Sequence, residues 1–179
     1  MSKKLTTIFI VILTLISTTC GCTASKKTEL PEDYSFSLIW GVNGISYYDS
    51  ATGKLVKTND ATNPDDYITT HILTKEEQEE ITGLLSSLDL EDYPNEYDPY
   101  NAPDSDKTIM TRPSQDIVLT VNLGEEIIEI KCIDIALSHG NYGYNDAARD
   151  FLAVVERIEE ILVTTDEWKA LPEYEFLYE

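Results

Sequence analysis

Phe36, Leu38 and Trp40 alternate with Ser35, Ser37 and Ile39, and Asn43-Gly44 follows between Val42 and Ile45. No other feature restricts the fold as much. Alternation at period 2 places every second side chain on one face of a strand. Asn-Gly is the strongest short hairpin signal, because both central residues of a type I′ turn need positive φ. The spacing therefore predicts a strand from Tyr34 to Trp40, a tight turn at Asn43-Gly44 and a return strand from Ile45 to Asp49. Ser50 to Gly53 reads as a second turn, and Lys54 to Lys57 as a third strand.

The same pattern recurs downstream. Ile117, Leu119, Val121 and Leu123 alternate with polar residues, Gly124 marks a turn, and Ile128, Ile130 and Cys132 share one face of the return strand, giving a hairpin over residues 116–133. A further strand is expected over Tyr67 to Leu73, after the polar loop NDATNPDD.

Two stretches carry helical periodicity instead. Ile81, Leu84, Leu85 and Leu88 recur at i, i+3, i+4, i+7. Thr74 with Glu77 makes a capping box at the head of that helix, which is expected to end near Ser87. Ala148, Phe151, Leu152, Val155, Ile158, Ile161 and Leu162 form the apolar face of a second helix, capped by Asn145 and ending near Val163. Thr164 with Glu167 reads as another capping box, opening a short terminal helix through Trp168. The tail ALPEYEFLYE is aromatic and is expected to pack on the body. Hairpins plus two separated helices give an α+β class: an antiparallel sheet of four or five strands, with both main helices on one face and water on the other.

The N-terminal segment has another character. In MSKKLTTIFIVILTLISTTCGC, Lys3 and Lys4 precede an apolar run from Leu5 to Ser17, followed by small residues and cysteine. About 13 apolar residues fall short of the roughly 20 that span a bilayer, whereas basic, apolar and small residues in this order match a cleaved export signal. The segment resembles a bacterial lipobox, at which a lipoprotein is cut before a lipid-bearing cysteine. Cys22 has Gly21 at −1 but Thr19 at −3; Cys20 has Thr19 at −1 and Ser17 at −3. Gly21 favours Cys22, with Cys20 as the alternative. The resemblance implies a signal peptide over residues 1–21, a lipidated cysteine with a linker over 22–33, and one domain over 34–179. It also implies diacylglyceryl on the cysteine sulfur, holding the chain on the extracytoplasmic face of the cell membrane. Two acyl chains hold stably where one does not. The linker ASKKTELPED reaches about 35 Å at most. If Cys20 is the lipidated residue, Cys22 is left to pair with Cys132; otherwise Cys132 is a lone thiol, a small buried hydrophobe in character.

Charge narrows the partners. All 33 Asp and Glu lie beyond residue 22, while Lys3 and Lys4 take two of the 13 Lys and Arg, so eleven cations face 33 acids and the balance is −22. That argues against nucleic acid, whose binding rests on Lys and Arg meeting phosphates. It leaves tethering to the lipid and attracts cationic partners. A monomer is expected.

Two loops offer candidate binding residues. EDYPNEYDPYNAPDSD displays Tyr93, Tyr97 and Tyr100 among carboxylates and carries Asp98 and Asn101. Such a set can stack on sugar or prolyl rings and accept hydroxyls from a glycan or protein partner. Asp98, Asn101, Asp104 and Asp106 are weak oxygen ligands for Ca²⁺, without the spacing of an EF-hand. The second loop, SHGNYGYND, offers His139, Tyr142 and Tyr144. His71 sits on a predicted strand with no evident partner. Neither a zinc pattern nor G-x-S-x-G, H-E-x-x-H or a P-loop occurs, and no cofactor is implied.

The stretches GISYYDSATGKL and TDEWKALPEYE resemble uncharacterised lipoproteins of Gram-positive anaerobes, a likeness that implies no activity. A non-enzymatic binding or interaction module is therefore expected. The alternatives are an acidic inhibitor or immunity-type protein for a cationic secreted enzyme, and a cell-wall hydrolase.

Overall fold

The computed structural model describes residues 28–96, 113–136 and 146–176. Six strands form one antiparallel sheet: β1 (Ser35–Trp40), β2 (Ser46–Asp49), β3 (Lys54–Val56), β4 (Ile68–Thr70), β5 (Ser114–Asn122) and β6 (Ile127–Ala136). Their order across the sheet is β4-β3-β2-β1-β5-β6. The first four strands thus form a meander, and the β5–β6 hairpin joins its free edge at β1. The helices are α1 (Lys75–Ser86), α2 (Asp146–Val163) and α3 (Asp166–Ala170). The fold is α+β, and all six strands join the sheet rather than four or five.

Register explains which face is buried. Leu38 stands opposite Tyr48 on one side and Leu119 on the other, and Leu119 opposite Ile130. These four are fully buried, with Phe36, Trp40, Leu55, Val121 and Cys132 on the same face. Ile81 and Leu85 of α1, and Phe151, Val155, Ile158 and Leu162 of α2, complete this core. Both amphipathic stripes therefore meet the sheet as their spacing requires. On the opposite face, Val56, Tyr47, Ile39 and Val118 stand in register across four strands.

The first turn differs from expectation. A two-residue loop at Asn43-Gly44 would set Leu38 opposite Asp49 and Trp40 opposite Tyr47. Instead Trp40 pairs with Ser46 and Leu38 with Tyr48, across a five-residue loop, 41–45. A one-residue slip exchanges the two faces of a strand, so the observed register buries Tyr48 and keeps Asp49 out of the core. Contacts to β5 hold the longer loop: Val42 bridges Gln115, Asn43 N donates to Ser114 O at 3.2 Å, and Asp116 N donates to Gly41 O at 3.1 Å. Gly41, Asn43 and Gly44 all take positive φ there.

Two other boundaries are corrected. The strand expected over Tyr67 to Leu73 keeps only Ile68–Thr70, because Pro64–Tyr67 winds into a 3₁₀ turn that buries Tyr67. The terminal helix is capped by Thr165, whose hydroxyl accepts from Trp168 N, and not by Thr164. The Thr164 hydroxyl donates back to Glu160 O at 2.8 Å, and the Glu167 carboxylate is held elsewhere, by His71. The α1 capping box forms as read: Glu77 N donates to the Thr74 hydroxyl at 3.2 Å, and Thr74 N donates to the Glu77 carboxylate at 2.8 Å. Cys132 is fully buried and in no disulfide among the described residues.

Candidate functional site

Of the binding residues expected from sequence, Tyr93 alone lies among the described residues. Tyr97, Asp98, Tyr100, Asn101, Asp104, Asp106, His139, Tyr142 and Tyr144 lie outside them, as do Cys20, Cys22 and the Asn145 cap. Tyr93 is half-buried. Its ring packs against Phe151 at 5.5 Å, and its hydroxyl donates to Ala147 O at 3.0 Å. It borders a hollow of about 230 Å³ with Asp89, Asp92 and Asp150, and holds the segment after α1 against α2. Among the described residues no group of three or more His, Cys, Asp or Glu is placed to hold a metal ion. No described helix is long and apolar enough to cross a membrane.

His71 is not without partners. Only 6% exposed, it stands 3.2 Å from Glu167 through Nδ1 and 3.2 Å from Glu77 through Nε2. An imidazole donates to a carboxylate from both nitrogens only as the imidazolium. The contact ties the end of β4 to the first turn of α1 and to α3. Burial works against ionised Glu77, but hydrogen bonds from the Thr74 backbone and hydroxyl, with the His71 charge, hold its carboxyl below the usual range. Tyr48 OH donates to His71 O at 3.1 Å and closes the assembly from below. The cluster is an interlock between elements.

A more open site lies at the other end of β1 and β2. A hollow of about 230 Å³ is walled by Trp40, Gly41, Val42 and Ile45 from the sheet and its first loop. Glu159 of α2 and Tyr174 and Phe176 of the tail also line it. Each wall has a physical cause. Trp40 is held by stacking on Trp168 of α3, with ring centres 5.8 Å apart and planes inclined by 25°. The Lys57 ammonium lies over both Trp168 and Tyr174, at 5.7 and 5.1 Å from the ring centres. Ser46 donates to Lys57 O at 2.7 Å and meets the Tyr174 hydroxyl. The tail is fastened further along. Tyr67 OH donates to Glu173 O at 2.9 Å, and Glu175 accepts from the Thr62 backbone and hydroxyl at 3.0 and 2.8 Å.

Glu159 is the chemically unusual member. Burial, with the neighbouring Glu156 charge adding to it, pushes its carboxyl up to about 7. No cation among the described residues forms an ion pair with it; Arg157, on the same helix, is taken by Glu80 and Glu160. Burial also raises the Tyr174 hydroxyl, the Ser46 contact opposes this, and the charges of Glu159 and Glu173 add to it. The hollow therefore holds a carboxyl that exchanges its proton near neutrality, beside an amide (Gln115), two hydroxyls and aromatic rings.

Glu159 was absent from the candidates read off the sequence, although a signal exists. Leu152, Val155, Glu159 and Leu162 follow a 3-4-3 spacing, so an acid stands at a position of core type. No protein-family model matches the chain, and no curated protein matches it as a relative.

The proton held by Glu159 has a measurable consequence. A carboxyl with a raised folded pKa contributes stability that is fully present below its unfolded pKa and lost as pH rises through the folded one. For Glu159 the window runs from about 4.5 to about 7. Glu159→Gln is therefore expected to leave stability nearly unchanged at pH 4.5 and to raise it by about 1–3 kcal/mol at pH 8. Urea denaturation at the two pH values checks this; an equal effect at both would contradict it.

Proposed function

We propose that this chain is a membrane-tethered, extracytoplasmic lipoprotein whose domain is a non-enzymatic binding module, and that the hollow between Trp40, Glu159 and Tyr174 is its binding site. One observation carries the choice of site. A helix position of core type is given to an acid that lines a hollow and has no ion-pair partner among the described residues. Glu159 is half-buried; a partly desolvated acid without a charge partner costs stability, and such costs concentrate at functional sites. The lipobox-like segment supports the tether, with diacylglyceryl on Cys22 or, alternatively, Cys20. Glu159 is the one carboxyl among the described residues that line the hollow, which favours binding over two-carboxylate hydrolysis.

The test combines two measurements on the full-length protein expressed in a bacterium. Mass spectrometry of the mature N-terminus is expected to find a diacylglyceryl cysteine; an uncut chain or an unmodified cysteine counts against the tether. Amide NMR with a panel of amino sugars, amines and short peptides is expected to shift Gly41, Val42 and Gln115 while the compound is recovered intact. Shifts confined to the far turn at residues 123–126, or a cleaved compound, would overturn the binding assignment.

A further inference from the structure

Resting on that assignment of the hollow as the binding site, we infer that it receives a lysine or arginine side chain of a cationic partner protein, with Glu159 as the counter-charge and Tyr174 and Phe176 flanking the cation. Three features argue for a cation on an aliphatic stem. Val42 and Ile45 give the hollow an apolar wall, against which the stem of a long basic side chain lies well. Phe176, 49% exposed, and Tyr174, half-buried, both line the hollow and put aromatic side chains beside an arriving charge. The formal charge of the whole chain, −20, draws cationic proteins toward any such hollow.

Competing ligand classes fit less well. A sugar wants a broad, exposed aromatic face, but Trp40 is 2% exposed and stacked on Trp168. An anion would meet Glu159 and the field of the protein. Among the described residues, the charged and titratable groups about Glu159 are Glu156 on its own helix, Tyr174 from the tail and the Lys57 ammonium, which lies 5.1 Å from the Tyr174 ring centre and forms no ion pair with Glu159; Ser46 and Gln115 bring uncharged dipoles from β2 and β5. An arriving ammonium is thus the first positive partner for this carboxyl among the described residues, and it expels the carboxyl's proton. Because the free site holds that proton near neutrality, affinity is expected to rise on the order of tenfold per pH unit up to about pH 7 and then level off.

The test titrates the full-length protein with three probes followed at the Gly41, Val42 and Gln115 amides: the peptide acetyl-Gly-Gly-Lys-Gly-Gly-amide, its norleucine counterpart and N-acetylglucosamine. The lysine peptide is expected to saturate the site, to bind at least tenfold more tightly than the norleucine peptide at pH 7.5, and to lose that margin in Glu159→Gln. Melting of the variant at pH 5 controls for folding. Equal binding of the lysine and norleucine peptides, preference for the sugar, or full lysine-peptide affinity in Glu159→Gln would overturn the cation assignment while leaving the hollow as a site. No shift with any probe would overturn both.

Discussion

Phe151→Ala is expected to cost about 3–5 kcal/mol. Phe151 is fully buried on α2, in the core cluster that joins both main helices to the sheet. Its ring also supports Tyr93 at 5.5 Å, so truncation opens a cavity and removes the backing of the segment that follows α1. A domain of ordinary stability holds about 5–15 kcal/mol in total, so much of the margin disappears. Guanidinium or thermal denaturation measures the loss. Phe151→Leu, which fills most of the space, is expected to lose clearly less. A cost below about 1 kcal/mol for the alanine variant would mean that α2 does not pack as described.

Gly53→Ala is expected to cost about 2–4 kcal/mol, although it adds only one methyl group, at a buried turn position. Gly53 sits at φ +72°, where an L side chain is strained. Its added Cβ would lie 2.4 Å from Ile72 Cδ1 and 2.8 Å from His71 O. The Ile72 side chain is 68% exposed and can swing away. His71 O cannot move so cheaply: it is backbone, it accepts from Tyr48 OH, and His71 N donates to Gly53 O at 2.8 Å. The strain therefore passes into the His71 interlock with Glu77 and Glu167. Gly83→Ala is the control. Nothing lies within 4 Å of its Cβ and it sits inside α1, so alanine is expected to stabilise by roughly 0.5–1 kcal/mol. Denaturant midpoints of the two variants should move in opposite directions; parallel movement would contradict the turn geometry.

Local physics made much of the fold legible in the sequence. Alternation located the strands, the i, i+3, i+4 stripes located both main helices, and the Thr74–Glu77 box formed where it was read. The misreadings have non-local causes. Asn43-Gly44 marks the right turn, but β5 recruits the Gly41–Asn43 backbone and lengthens the loop, which short-range turn chemistry does not register. Glu167 reads as a capping residue until His71, 96 positions away, takes its carboxylate. His71 reads as solitary for the same reason. The candidate site was less legible. Its walls come from β1, the first loop, β5, α2 and the tail, and only the acid within the Leu152–Val155–Leu162 stripe marks it locally. Tyr93, chosen as a displayed aromatic, turns inward onto Phe151 because that ring gives it more apolar contact than water does.

The account depends most on Glu159 holding its proton in the hollow while no cation among the described residues claims it. Titration of its side-chain carboxyl carbon by NMR, in protein labelled at glutamate and assigned with Glu159→Gln, measures this directly. A midpoint near 7 is the expected result. A midpoint near 4.5, that of an ordinary solvated glutamate, would contradict the account, because the carboxyl would then be neither buried in the hollow nor waiting for a charged partner.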